Sequence, residues 1–241
     1  MTIQISDYYS NDLDLPMVHI TDHSLITPDS VAVWPMRSLE DISGNGNALV
    51  WPGGAFDIDG AGAVLTTANP IATPVAETDE MTVLMVYRID SSTSPSSMLL
   101  GNLTPATAPY AGVRLAYNYQ SSTGNWLAST GLSSPATIIA SNAIPASGAW
   151  VAHAYTTSTA RGRIQHVSRS GTVVSSAFSQ RALGGALYLN GLPASVPSQV
   201  QTGNAGYLGY VAMYSRELDV GEIVDKLGYM VTLMAERGVT V

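Results

Sequence analysis

The chain has 241 residues, 46% of them hydrophobic and only 12% charged, where an ordinary globular protein has about 25% charged. That is enough apolar length for one sizeable core, which excludes a disordered chain, and too little Glu, Lys and Arg for a coiled coil. A net charge of −8, with Lys226 as the sole lysine, excludes the phosphate contacts of a nucleic-acid binder.

The first thirty residues are polar and acidic, with Pro16 and Pro28 as breakers, and read as an extended arm or docking segment (1–30). Their start, Met1-Thr2-Ile3-Gln4-Ile5-Ser6-Asp7, shows neither a basic nor an apolar signal-peptide region, so no secretory leader is expected. No apolar run approaches the ~18 residues of a membrane span. From Val31 onward, short apolar stretches alternate with Gly, Ser, Asn and Pro clusters. This predicts strands over 31–36, 55–58, 81–89, 97–101, 112–119, 125–130, 150–157, 163–168, 173–178, 186–190 and 206–214. The stretch 81–88 is mostly apolar, as a central strand covered on both faces would be. The pattern is that of an all-β sandwich over 31–218.

Residues 219–241 predict one amphipathic helix. Asp219 and Glu222 have the spacing of a capping box. Val220, Ile223, Val224, Leu227, Val231 and Met234 fall on one face, and Arg237 then Gly238 close the helix. Such a helix covers the sandwich or a neighbouring subunit.

Charge is segregated along the chain. Residues 1–90 hold 13 acids against Arg37 and Arg88. Residues 91–216 hold no Asp or Glu but six arginines, at 114, 161, 163, 169, 181 and 216. The acidic first ninety residues therefore offer a contact surface for the arginine-bearing middle of another copy. Cysteine is absent, which excludes disulfides, thiolate zinc sites and cysteine nucleophiles.

Few residues carry chemistry. Gly131-Leu132-Ser133-Ser134-Pro135 is no nucleophile elbow, and His153 and His166 read as structural. His19 and His23 lack the Glu of a zinc helix, and in an extended segment stand about 13 Å apart. Asp41, Asp57 and Asp59 with Gly60 offer hard oxygens for calcium, but Ala61 and Ala68 break the EF-hand pattern. No metal or other cofactor is expected, with calcium as the alternative. Ser43-Gly44-Asn45-Gly46-Asn47 precedes no helix and reads as a tight turn rather than a phosphate loop. Sugars need aromatic faces and hydrogen-bonding groups. The densest such cluster is Tyr117, Tyr119, Asn125 and Trp126, the candidate ligand site; a core role for one of its aromatic faces is the other reading.

Three segments resemble the concanavalin A-like (laminin-G-like) lectin and glucanase superfamily. They are Leu39-Glu40-Asp41-Ile42-Ser43-Gly44-Asn45-Gly46-Asn47 followed by Phe56-Asp57-Ile58-Asp59-Gly60, then Gly148-Ala149-Trp150-Val151-Ala152-His153, and last Tyr214-Ser215-Arg216-Glu217-Leu218-Asp219-Val220-Gly221-Glu222-Ile223 with the strand before it. The resemblance spans roughly residues 31–225 and implies a jelly-roll sandwich of two antiparallel sheets. Its glucanases carry an E-x-D-x-E pattern midway along the chain, where this sequence has no carboxylate. Glu77-Thr78-Asp79-Glu80 has the wrong spacing, so no enzyme is expected. A lone domain with a polar arm and a C-terminal helix is similar to bacteriophage virion proteins of that superfamily. The resemblance thus implies a virion-surface protein of tail or head that adheres to bacterial glycan. Its partners would be other virion proteins and cell-surface carbohydrate, as a homo-oligomer, a trimer by preference. A purely structural decoration or assembly protein is the alternative, and a polysaccharide depolymerase the second.

Overall fold

The computed structural model describes residues 24–57, 60–91, 95–144 and 148–241. They form an all-β sandwich of two antiparallel sheets with one helix at the C-terminal end. In chain order the strands are β1 (Ser30–Trp34), β2 (Ala55–Asp57), β3 (Gly62–Leu65), β4 (Ile71–Ala76), β5 (Glu80–Ser91), β6 (Ser96–Gly101) and β7 (Val113–Asn118). Then come β8 (Thr123–Ser129), β9 (Thr137–Ala143), β10 (Trp150–Ser158), β11 (Arg163–Ser168), β12 (Val173–Ala177), β13 (Ala186–Leu189) and β14 (Ala205–Tyr214), followed by α1 (Val220–Glu236). One sheet has the order β12-β11-β10-β5-β14-β3-β2, with β1 also on β14; the other has the order β4-β13-β6-β7-β8-β9.

Strand β5 explains its own composition. Met81, Val83, Met85, Tyr87 and Ile89 face the sandwich interior, and Leu84 and Val86 face the helix. Both faces are dry along the middle of the strand, so residues 81–87 are apolar except for Thr82. Each large side chain buried this way contributes about 1.5–3 kcal/mol.

Helix α1 covers the outer face of the larger sheet. Its buried residues are Ile223, Lys226, Leu227, Met230, Leu233 and Met234, packed with Val33, Leu84, Val86, Ala154, Val167 and Ala212. The sequence pattern places the stripe slightly too far round: Val220 and Val231 flank it, while Met230 and Leu233 lie at its centre. The capping box is formed, with Asp219 accepting from the Glu222 N–H and Glu222 from the Asp219 N–H. Beside it, Arg216 holds the Glu222 carboxyl down to about 2. At the far end Gly238 takes φ +77, so that Val239 N–H reaches Met234 O and Gly238 N–H reaches Ala235 O. A left-handed residue is needed there, which glycine adopts without a Cβ clash. Lys226 lays its stem along the apolar face and holds its ammonium 4.9 Å from the centre of the Tyr214 ring.

Residues 24–30 lie against this layer. Leu25 is buried in it, and Tyr214 Oη donates to Leu25 O at 2.7 Å. The rest of the expected arm, residues 1–23 with His19 and His23, lies outside the described residues.

The Asp41 turn has a structural task. Among the described residues strand β1 pairs only with β14, which leaves its other edge without a strand. Asp41 Oδ1 accepts from Val33 N–H at 2.9 Å, and the amides of Asn45 and Asn47 donate to Ser30 O and Val31 O at 2.7 and 2.8 Å. Asp41 also accepts from the N–H groups of Ser43 and Asn47, which fixes the turn. Gly44 and Gly46, at φ +87 and +75, let the chain double back. The turn therefore caps an edge strand with side chains rather than cradling a phosphate.

Candidate functional site

The four residues singled out from the sequence do not share a surface. In β7, Val113, Leu115 and Tyr117 alternate inward, and Tyr117 is buried in the core. In β8, Trp126 and Ala128 do the same; Trp126 is fully buried and its Nε1 donates to Thr156 O across the sandwich at 2.9 Å. Neither ring offers a face to a sugar. Tyr119 is half-buried at the end of β7, edge-on to Tyr117 at 4.6 Å. Asn125 lies on the opposite, outer face of the sheet, where its Oδ1 accepts from Ser141 Oγ at 2.7 Å.

Inside the sandwich, a string of polar rings runs across the larger sheet. Tyr87 and Tyr155 share a hydroxyl–hydroxyl bond of 2.9 Å, the Tyr155 ring lies 4.7 Å from His166, and His166 Nε2 meets His153 Nδ1 at 3.0 Å. No carboxylate is hydrogen-bonded to either imidazole among the described residues. Burial pushes His153 down to about 4 and His166 to about 3, the latter helped by its neighbour. Both rings are therefore neutral in the folded protein, while an unfolded histidine protonates near 6.5. Below pH 6.5 the unfolded chain takes up protons that the folded one refuses, so stability is intact above about pH 7 and declines on acidification toward pH 4. The expected decline is about 1.4 kcal/mol per pH unit for each histidine involved. Tm against pH measures it, and the ring resonances of both histidines should stay unchanged in NMR spectra from pH 8 to 5. Titration of either ring near 6.5 would contradict the buried arrangement.

The segregated charges meet within one chain. Arg181 pairs with Glu77, Arg161 and Arg163 with Glu217, and Arg216 with Asp29 and Glu222. Arg169 Nη1 donates to Val241 O at 3.0 Å. These arginines of the acid-free stretch thus find partners inside the fold, while of the acids in residues 1–90 Asp29 and Glu77 are the ones used for them among the described residues. Asp41 is engaged by its turn, Asp59 lies outside the described residues, and among those described no three His, Asp or Glu side chains gather as metal ligands.

One surface feature among the described residues is an open cleft of about 400 Å³ at the start of β10. It is lined by Trp150, Val151, Ala152 and His153, by Ser168, Arg169 and Ser170 at the β11–β12 turn, and by Val241. Trp150 stands beside the end of α1, where Gly209 leaves room for Met234 and the indole. Its ring belongs to a stack with Tyr207, 6.1 Å away, and the Arg88 guanidinium lies 4.4 Å from the Tyr207 centroid, oriented by two bonds to Asp90 at 2.8 and 2.9 Å. The cleft therefore offers an aromatic wall, hydroxyls and a guanidinium, while the His153 ring is turned to the interior, and no Asp or Glu lines it. Sequence reading placed Trp150 in a strand and His153 as structural. What assembles the cleft is the return of the chain after α1, which no local pattern shows.

No family model matches the chain, and none of the curated proteins does. Solved structures do. Domain 4 of AbnA, an extracellular arabinanase from Geobacillus stearothermophilus, in complex with arabinotriose, is 17% identical with a TM-score of 0.62, covering 83% of this chain and 98% of that one. The binding domain of botulinum neurotoxin serotype D is 9% identical with a TM-score of 0.61 over 83% of this chain and 51% of its own. A Trypanosoma rangeli sialidase is 14% identical with a TM-score of 0.60 over 84% of this chain and 33% of its own. At these identities the likeness establishes the fold, a β-sandwich, an architecture that these binding domains and glycan-processing enzymes share.

Proposed function

We propose that this protein is a glycan-binding sandwich without catalytic activity, displayed on a bacteriophage particle as an adhesin for bacterial surface polysaccharide. The observation that carries the glycan reading is the cleft, where the Trp150 ring stands next to Ser168, Arg169 and Ser170. Aromatic faces stack on the C–H faces of sugar rings, and hydroxyl and guanidinium groups bond their hydroxyls. The arabinanase domain of the same fold, solved with arabinotriose, supports it. The non-enzymatic reading is supported by carboxylate placement. Glycoside hydrolysis usually takes two carboxyl groups about 5–9.5 Å apart across the bond. No Asp or Glu lines the cleft, and Glu77 and Glu217 are buried against arginines. The virion placement rests on the resemblance of the domain plan, and display in many copies would multiply a weak single site.

The test is a glycan array probed with a multimerised form of the protein. Trp150→Ala is expected to weaken binding to the best-bound neutral glycans at least tenfold. Arg169→Ala, on the exposed rim, should weaken it with little change in Tm, which separates loss of contact from loss of fold. Binding untouched by both changes places the glycan elsewhere. Release of reducing sugar from capsule polysaccharide would overturn the non-enzymatic reading, and absence of the protein from purified particles the virion reading.

A further inference from the structure

The outer face of the six-stranded sheet holds a cation for which the fold supplies no counter-charge among the described residues. Arg114 alternates outward in β7, in register with Gly101 of β6 and Leu127 of β8, with Ile139 of β9 next in the row. It is 8% exposed, and its Nε and Nη1 are buried without a hydrogen-bond partner. The other five arginines of the acid-free stretch each hold a carboxylate or a carbonyl. A buried guanidinium stays charged, and left unpaired it is costly. A ligand that brings a planar pair of oxygens removes that cost, because the arginine fork matches a carboxylate.

The surroundings fit a sugar. Two residues further along β7, about 7 Å away, lies small Ala116, and Asn125 and Ser141 stand beside it in register on the same face. In the Arg114 row Ile139 is 47% exposed and Leu127 6%, so the row meets solvent from β9, and a ligand reaches the guanidinium by displacing the Leu127 side chain. We propose that Arg114 anchors a second subsite, on the outer face of the six-stranded sheet and separate from the Trp150 cleft, that takes the carboxylate of an acidic sugar. Asn125 and Ser141 bond hydroxyls of the adjoining ring. That the ligand is a saccharide rests on the glycan-binding reading; that it is an anion rests on Arg114.

Titration calorimetry with trigalacturonic acid and with its fully methyl-esterified, neutral form tests this. The acid is expected to bind at least tenfold more tightly than the ester. Arg114→Met should abolish that preference, and Trp150→Ala should leave it intact. In the free protein Arg114→Met should also raise Tm by about 2–4 °C, because an apolar side chain replaces an unpaired charge. Equal binding of acid and ester, or binding of neither, overturns the proposal. So does a fall in Tm for Arg114→Met, which would mean that the guanidinium already has its partner within the protein. Acid binding at Arg114 with no neutral glycan bound at the cleft would sink the cleft reading and leave this one standing.

Discussion

Glu77→Gln is expected to destabilise the sandwich by about 3–5 kcal/mol, read from urea unfolding at pH 7. The carboxylate leaves the end of β4 and is buried at 0% side-chain exposure against Arg181 at 1%. One oxygen meets Arg181 Nη2; the other accepts from Asn102 Nδ2 at 3.1 Å and Gly184 N–H at 2.7 Å. Arg181 in turn donates to Thr78 O and Asp79 O, and Asn102 Oδ1 accepts from Val113 N–H. The group therefore fastens three loops to the start of β7. Glutamine keeps the shape but removes the charge, so a buried guanidinium is left without its counter-ion, which is where the large cost arises. The double change Glu77→Leu with Arg181→Met removes both charges and should cost much less than the single one. A loss below about 1 kcal/mol for Glu77→Gln would show that the site relaxes into water and that the pair is not a structural clasp.

Trp126→Ala should cost a similar 3–5 kcal/mol. The indole is fully buried, lies 5.6 Å from the Tyr155 ring, and carries the bond from β8 to Thr156 O on the opposite sheet. Trp126→Phe fills part of the volume but loses the bond to that carbonyl, for a loss of about 1–3 kcal/mol. Glycan binding per folded molecule should not change in either variant. Selective loss of binding in a protein of unchanged stability would instead make Trp126 a ligand contact.

Much of the fold is legible in the sequence, because each sheet face repeats a period-2 pattern between glycine and proline turns. The prediction over 163–168 matches β11, and those for β5, β6, β10 and β14 fall within two residues of the strands. Three strands are not legible for separate reasons. Pro74 interrupts β4, which is tolerated because β4 is an edge strand. Strand β9 is also an edge, and Ile139 points to solvent, so its alternation is blurred. Strand β3 is only four residues long and begins at Gly62. The helix caps are legible because they depend on adjacent residues. The site is less so. Tyr117, Tyr119, Asn125 and Trp126 are close in sequence, but a strand sends neighbours to opposite faces, and which face is core is decided by the other sheet. Trp150, Arg169 and Val241 are far apart in sequence and meet only through the topology. The charge map was legible as a count, while its use as internal pairing was not.

The position of β14 has a consequence for how the chain is made. It lies between β5 on one side and β1 with β3 on the other, yet it comes last of the fourteen strands among the described residues. Until residues 205–214 have left the ribosome, the apolar β5 has one open edge, and the sheet it will organise is in two pieces. Glu217, Glu222 and α1 follow still later, so Arg161, Arg163 and Arg216 wait for their partners and Leu84 and Val86 for their cover. Closure through such distant contacts is slow, and an unpaired apolar edge invites pairing with another nascent chain. Synthesis of this protein is thus most vulnerable to aggregation until residues 205–236 have emerged, and a chain cut short of Ala205 is expected to be insoluble rather than partly folded.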